Sequence, residues 1–465
     1  MFKWVKFLFI LSLLLAPSSL AAQGQSNSQA VYIVQPGDNI NTIAYLFNIS
    51  SVDLVNANGI TNPDQLSVGE QLVIPGITGI SGIIQGVVVP YGQTLESISQ
   101  QYQVPVETLI DLNHIISPME LYAGSSIIVP QPEGTSDKTI SQAILQKGET
   151  LIEAAAENGL NPWVMTLSNG LHGTWDSLPG QSIFYQTSSG SNTSEMLNPF
   201  ISSVSIQPLP IVQGNTLVVD VKTKDSITLG GSLGSYTLKF VQSEENRYVA
   251  LQGINAMQDK GLYPLRLFGT FAAGSGFDYQ QNVLIKPGYF PEDPKLTVPP
   301  ETMDPAVTGP EDNQVAAIVG ATNPTRYWTG PFRAPVDEPC INSGYGDRRS
   351  YNGSDYIYFH TGIDYGVCAN NLNIYAPAPG VVVFTGLLSV RGNTTIIDHG
   401  WGVYSGLYHQ SKILVQVGQI VKAGEQVGII GATGRVNGPH LHWDLFVNGT
   451  QANPLDWLTN TYPYP

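Results

Sequence analysis

His360-Thr361-Gly362-Ile363-Asp364 and, later, Gly438-Pro439-His440-Leu441-His442-Trp443 decide how this chain is read. Of its 7 histidines, His360, His399, His409, His440 and His442 all fall in the last third. Side chains alternate across a strand, so His440 and His442 share one face. His360 and Asp364, four apart, share a face in a strand or a helix. Two imidazoles and a carboxylate from separate strands supply three ligands and leave a fourth position for water, the arrangement of a catalytic zinc. The remaining histidines can polarise that water or carry protons. His399, inside Asp398-His399-Gly400, reads as strand-end packing.

Length and composition set the frame. At 465 residues the chain exceeds one core, so several domains are expected. Charged residues are 12%, with 48 Gly and 32 Pro, which favours β-rich modules joined by turns. The net charge of −16 argues against nucleic acid and against an anionic membrane surface as partners. From Arg326 onward there are eight Lys/Arg against nine Asp/Glu, so the acidity lies in the preceding part.

The first residues read as a signal peptide, 1–22. Lys3 and Lys6 precede an apolar run at 7–16, shorter than the roughly 20 residues of a membrane helix, and small residues follow. The mature protein is expected to be secreted, with no membrane insertion after cleavage. The only cysteines, Cys340 and Cys368, flank the His360 segment. In an exported protein a disulfide there would brace the metal loop and add about 3 kcal/mol, the alternative being two free thiols.

After a polar linker at 23–29, a repeat begins. Gly37, Gly92 and Gly148 recur in phase, as do Asn58, Asn113 and Asn169, and Gly69, Gly124 and Gly180. Each unit reads as strand, helix, helix, strand. In the first, Gly37-Asp38-Asn39 caps a helix, and Asn58-Gly59 stops a second.

Two resemblances follow from these motifs. His360-x-x-x-Asp364 with His440-x-His442 resembles the lysostaphin-type zinc endopeptidases of peptidase family M23. Ser343-Gly344-Tyr345-Gly346-Asp347-Arg348-Arg349, Tyr375-Ala376-Pro377-Ala378-Pro379-Gly380, Tyr408-His409 and Gly431-Ala432-Thr433-Gly434 fall in family order. The resemblance implies Zn2+ bound by His360, Asp364 and His442, with His409 and His440 as the catalytic pair. It also implies a β-rich domain at 326–465, an antiparallel sheet with an open groove. The repeat resembles LysM modules, which bind peptidoglycan and chitin-like sugars: Tyr32-x-Val34-x-x-Gly37-Asp38 and Asn58-Gly59-Ile60 in the first, Gly92-Gln93-Thr94-Leu95 and Asn113-His114-Ile115 in the second. The family's groove falls here on Asp38, Asn39, Ile40, Gly59 and Ile60, and on Gln93, Thr94, Leu95, His114 and Ile115.

The expected layout is multidomain. Small α+β LysM modules occupy 30–76 and 86–130, and a degenerate third occupies 140–187. A Ser/Gly/Asn linker runs over 187–195, an all-β sandwich-like domain over 198–290, and a Pro-rich acidic extended linker over 291–325. The peptidase domain closes the chain. The implied function is a secreted, wall-associated monomeric zinc endopeptidase, tethered to glycan strands and cutting stem or bridge peptides. The rival is a non-catalytic M23-like protein that binds wall or activates an amidase. Arg348 and Arg349 read either as carboxylate binders or as solvated charges.

Overall fold

The computed structural model describes residues 29–464 except 78–79, 81, 118–119, 132–138, 188–199, 272–273 and 275. The expected signal peptide and most of both polar linkers lie outside the described residues. The chain divides into two compact units, 1–84 and 85–465, each taken by itself.

The first unit is the first repeat. Strand Ala30–Ile33 pairs antiparallel with Gln71–Val73 around helices Ile40–Leu46 and Ser51–Asn58. Within the Gly37-Asp38-Asn39 turn Asn39 caps the first helix: its side chain accepts from the Asn41 and Thr42 amides, and Thr42 answers with a capping box. Gly59 ends the second helix with a left-handed φ of 61°.

The second unit opens with the other two repeats. Their helices are Leu95–Tyr102 and Val106–Asn113, then Leu151–Glu157 and Pro162–Ser168. The recurring asparagine does the same work in all three. The Asn58 amide donates to the carbonyls of Leu54 and Val73, and its oxygen accepts from the Val73 amide. Asn113 and Asn169 repeat this on Ile128 and Phe184. Sequence marks these asparagines as turn residues; tertiary structure makes them clamps between a helix end and a strand.

The expected sandwich is present. One sheet runs 241–244, 247–253, 216–223, 201–207; the other runs 236–238, 227–233, 261–271, 276–286, 211–212. The second repeat is bolted to it. Tyr91 is buried in the sandwich core and donates to the Leu265 carbonyl at 2.8 Å. Ala123 exchanges backbone hydrogen bonds with Asn282 and Leu284. On its other side the sandwich shares a core with the C-terminal domain, where Val218, Leu251 and Ala256 meet Trp328, Leu445 and Trp457. Trp457 Nε1 donates to Thr216 Oγ1 at 2.9 Å.

The extended linker expected at 291–325 is replaced by ordered structure: a turn at Pro300–Met303 and a 15-residue helix, Pro305–Val319. Pro305 sits at the helix start, where proline is tolerated and Asp304 caps it, and Pro310 lies inside the helix, so proline richness hid it. Its Val315 and Val319 pack on Leu388, Ile396, Tyr404 and Phe446. Glu311, 5% exposed, accepts from the Val390 and Arg391 amides at 2.7 and 3.1 Å and from the Arg391 guanidinium at 2.8 Å. Glu311→Ala leaves two buried amides without their acceptor and Arg391 with Asp312 alone, and is expected to cost about 3 kcal/mol. Urea unfolding checks it; a loss below about 1 kcal/mol would mean the helix is not anchored there.

The C-terminal domain is built on an antiparallel sheet ordered 341–343, 363–365, 441–447, 403–410, 392–400, 380–388, 420–421. Cys340 and Cys368 are disulfide-bonded, with Cα atoms 6.2 Å apart, and bracket the paired strands Ile341–Ser343 and Ile363–Tyr365.

Candidate metal centre

Three neighbouring strands carry the site. Asp364 lies opposite His442, and His442 lies opposite Tyr408. His360 follows the short strand Tyr358–Phe359 and is fixed by backbone bonds to Gly346 and Asp347. Sheet register thus brings together residues far apart in the chain.

His360 Nε2 lies 3.0 Å from Asp364 Oδ1 and 2.9 Å from His442 Nδ1, which is itself 2.9 Å from Asp364 Oδ1. All three residues are buried. The outward nitrogens are committed elsewhere. His360 Nδ1 lies 2.8 Å from the Gly344 carbonyl, and His442 Nε2 lies 2.7 Å from Asp444 Oδ1. Protons held on those outer atoms leave lone pairs facing inward beside a carboxylate oxygen. Three acceptors at this spacing require a cation, either a proton or a metal. The donor set of two imidazoles and one carboxylate suits zinc.

Electrostatics agree. Burial alone would raise the Asp364 carboxyl, yet His360 and His442 hold it well below the usual range. Burial pushes His360 down to about 4. His442 resists burial and is pushed up to about 9 by Asp444 and Asp364.

The catalytic candidates flank the centre. His409 Nδ1 lies 2.8 Å from the Thr433 carbonyl, and its ring centroid is 4.9 Å from that of His440 and 6.1 Å from that of His442. His440 Nδ1 lies 2.9 Å from the Gly438 carbonyl, while its Nε2 is 3.5 Å from Asp364 Oδ1. His409 holds a left-handed φ of 61° where the ladder shifts register, which breaks strict alternation after Tyr408. Burial, followed by the charges of His442 and His440, pushes it down to about 3, so the ring is neutral at pH 7, and with Nδ1 at the Thr433 carbonyl Nε2 is its other ring nitrogen.

Sequence reading overlooked the supports of this site. Asp444 is two residues past His442 on one strand face, so alternation alone could have flagged it. Gly362 has no room for a side chain: a Cβ would come within 2.7 Å of both His442 Nε2 and Asp444 Oδ1. Arg349 is neither solvated nor free for substrate. It donates to Asp364 Oδ2 at 2.9 Å and to Asp293 at 3.2 Å, with its side chain 14% exposed. Asp293, in the supposed linker, carried no local signal.

His399 is packing, as expected: Nδ1 lies 2.8 Å from the Pro379 carbonyl and Nε2 2.9 Å from Ser405 Oγ. Burial pushes it down to about 4. The unfolded chain therefore takes up the proton first, from about pH 6.5, and stability falls as pH drops toward 4, by about 3 kcal/mol from this residue. His399→Asn is expected to flatten that part of the pH–stability curve. Urea midpoints at pH 7 and 4.5 check it.

The sugar-groove candidates divide differently. In the first module Asp38 is taken up by the Tyr32 hydroxyl and the Gln35 amide, Asn39 caps its helix, Ile40 is core and Gly59 is a helix stop; Ile60 is half-buried. In the second module Leu95 is core, Thr94 is an exposed cap and His114 an exposed left-handed helix stop, with Ile115 half-buried. Gln93 is 5% exposed because the sandwich covers it: Gln281 donates to its carbonyl and accepts from the Gly92 amide.

Residues 358–454 match the profile of peptidase family M23, and 32–75 and 87–130 match that of the LysM domain. The chain is similar to peptidoglycan DD-endopeptidase ShyA of Vibrio cholerae, 38% identical over 124 residues, 26% of this chain and 29% of that one. It is also similar to DD-carboxypeptidase/endopeptidase Mpg of Neisseria meningitidis, 40% identical over 96 residues, 21% and 22% of the two chains. The chain thus spans under a third of these curated relatives. Among solved structures, the catalytic domain of lysostaphin from Staphylococcus simulans aligns at 29% identity and a TM-score of 0.24, covering 27% of this chain and 95% of that one.

Proposed function

We propose, from the premise that the C-terminal domain belongs to peptidase family M23, that this chain is a secreted zinc endopeptidase hydrolysing peptide bonds in bacterial peptidoglycan. The observation that carries the reading is the meeting of His360 Nε2, Asp364 Oδ1 and His442 Nδ1 within 3.0 Å of one another. These residues would hold the ion. Bound zinc supplies a Lewis acid for the scissile carbonyl and lowers the pKa of water toward neutrality. His409 and His440 act beside it, one accepting the water's proton and the other donating to the developing oxyanion. Arg349 and Asp444 keep the ligand atoms aimed inward. The DD-endopeptidase names of the relatives favour a stem-peptide cross-link over a glycine bridge as the bond cut.

Glycan attachment is assigned chiefly to the first module, because the sandwich covers Gln93 in the second. A tether raises the local concentration of peptide at the groove. The test is digestion of purified peptidoglycan by the full chain, with and without chelator. Clearing that stops with chelator and returns with zinc supports the reading. A chain that holds stoichiometric zinc yet releases no fragments would sink it and favour the non-catalytic wall binder.

A further inference from the structure

We propose that Arg435 is the subsite for a free carboxylate of the substrate peptide, close to the scissile bond. This rests on the peptidoglycan-peptidase reading. Three arginines line the groove that holds the metal centre: Arg349, Arg391 and Arg435. The first two are neutralised, Arg349 by Asp364 and Asp293, Arg391 by Glu311 and Asp312. Among the described residues Arg435 has no carboxylate partner. Its guanidinium donates to the Thr302 carbonyl at 2.9 Å and to Met303 Sδ at 3.3 Å, and lies 5.0 Å from the centroid of the Tyr351 ring. All three are neutral, weaker partners for a guanidinium than an anion.

The position is fixed. The Arg435 amide donates to the Val390 carbonyl at 2.8 Å, and Gly434, at a φ of 80°, lets the loop lie against Gly392. The same loop runs on to His440. Tyr351 links Arg435 to the centre, because its hydroxyl accepts from Arg349, which donates to Asp364. One tyrosine ring therefore separates Arg435 from a side chain that touches a ligand residue. An extended peptide advances about 3.3–3.6 Å per residue, so a carboxylate a few residues from the cut bond comes within reach. A planar guanidinium binds a carboxylate through two parallel hydrogen bonds, which a primary amide cannot accept. Cross-linked wall peptides present carboxylates that are either free or amidated, so this residue would sort substrates by that single group.

The experiment uses full-length protein and two cross-linked muropeptides that differ only in one carboxylate, free or amidated. Wild type is expected to favour the free acid in kcat/KM by about tenfold to a hundredfold. R435Q is expected to bring the ratio to within about threefold, mainly through KM, and R435K to fall between. Equal rates on both peptides by wild type would overturn the assignment, as would R435Q slowing both while keeping their ratio. Binding of both peptides to full-length H409A, read by calorimetry, gives the same ratio without turnover. Should wild type cleave neither peptide, the hydrolase reading fails, and the calorimetric ratio still decides the fate of the Arg435 subsite.

Discussion

His409→Ala is expected to lower kcat/KM by about a thousandfold while leaving bound zinc at one per chain. The two halves of this outcome rest on different observations. His409 lies outside the trio of donor atoms that meet within 3.0 Å, so its loss removes no ligand. Its Nδ1 is tied to the Thr433 carbonyl, so the free Nε2 is the atom available to substrate and water. With its pKa pushed down to about 3, chiefly by burial, the ring is neutral at pH 7. His442→Ala should behave differently and lose both metal and turnover, because it deletes one vertex of the trio. Metal analysis alongside muropeptide kinetics separates the two variants. Loss of zinc from His409→Ala would make it a ligand and overturn the division of roles.

Asp444→Ala is expected to weaken zinc binding by ten- to a hundredfold, with much of the turnover recovered at saturating zinc. Asp444 is fully buried, and its Oδ1 lies 2.7 Å from His442 Nε2. That contact keeps the proton on Nε2 and so leaves Nδ1 as the metal-facing atom. Without it either tautomer is open, and the ring loses the contact that sets its rotation. Asp444→Asn retains an acceptor oxygen of similar reach and should fall much less, which distinguishes a held tautomer from a mere loss of packing. Competition against a chromophoric chelator measures the affinities. An unchanged dissociation constant for Asp444→Ala would show that the strand alone orients His442.

The fold was readable wherever residue chemistry is local. Gly37, Asn39, Gly59 and their counterparts act through turns and caps, so the repeat and its element order follow from spacing. The sandwich followed from alternating runs between turns. The segment at 291–325 was misread for a physical reason: Pro305 sits where a helix start tolerates it, Pro310 lies inside the helix, and the helix is held by Glu311 and by valines whose partners lie in distant strands. The sugar-groove reading met the same obstacle at Gln93, which is 5% exposed and has its carbonyl bonded by Gln281 of the sandwich.

At the metal centre, sequence alone determined which residue types could bind an ion and that His440 and His442 share a strand face. It could not determine that Asp364 stands opposite His442, that Asp444 and Arg349 hold the ligands from behind, or that Asp293 reaches in from a Pro-rich stretch. Those depend on strand register and on contacts between distant segments. The period of a strand fixes the face a side chain takes, whereas its neighbour across the ladder is chosen by the packing of the whole sheet.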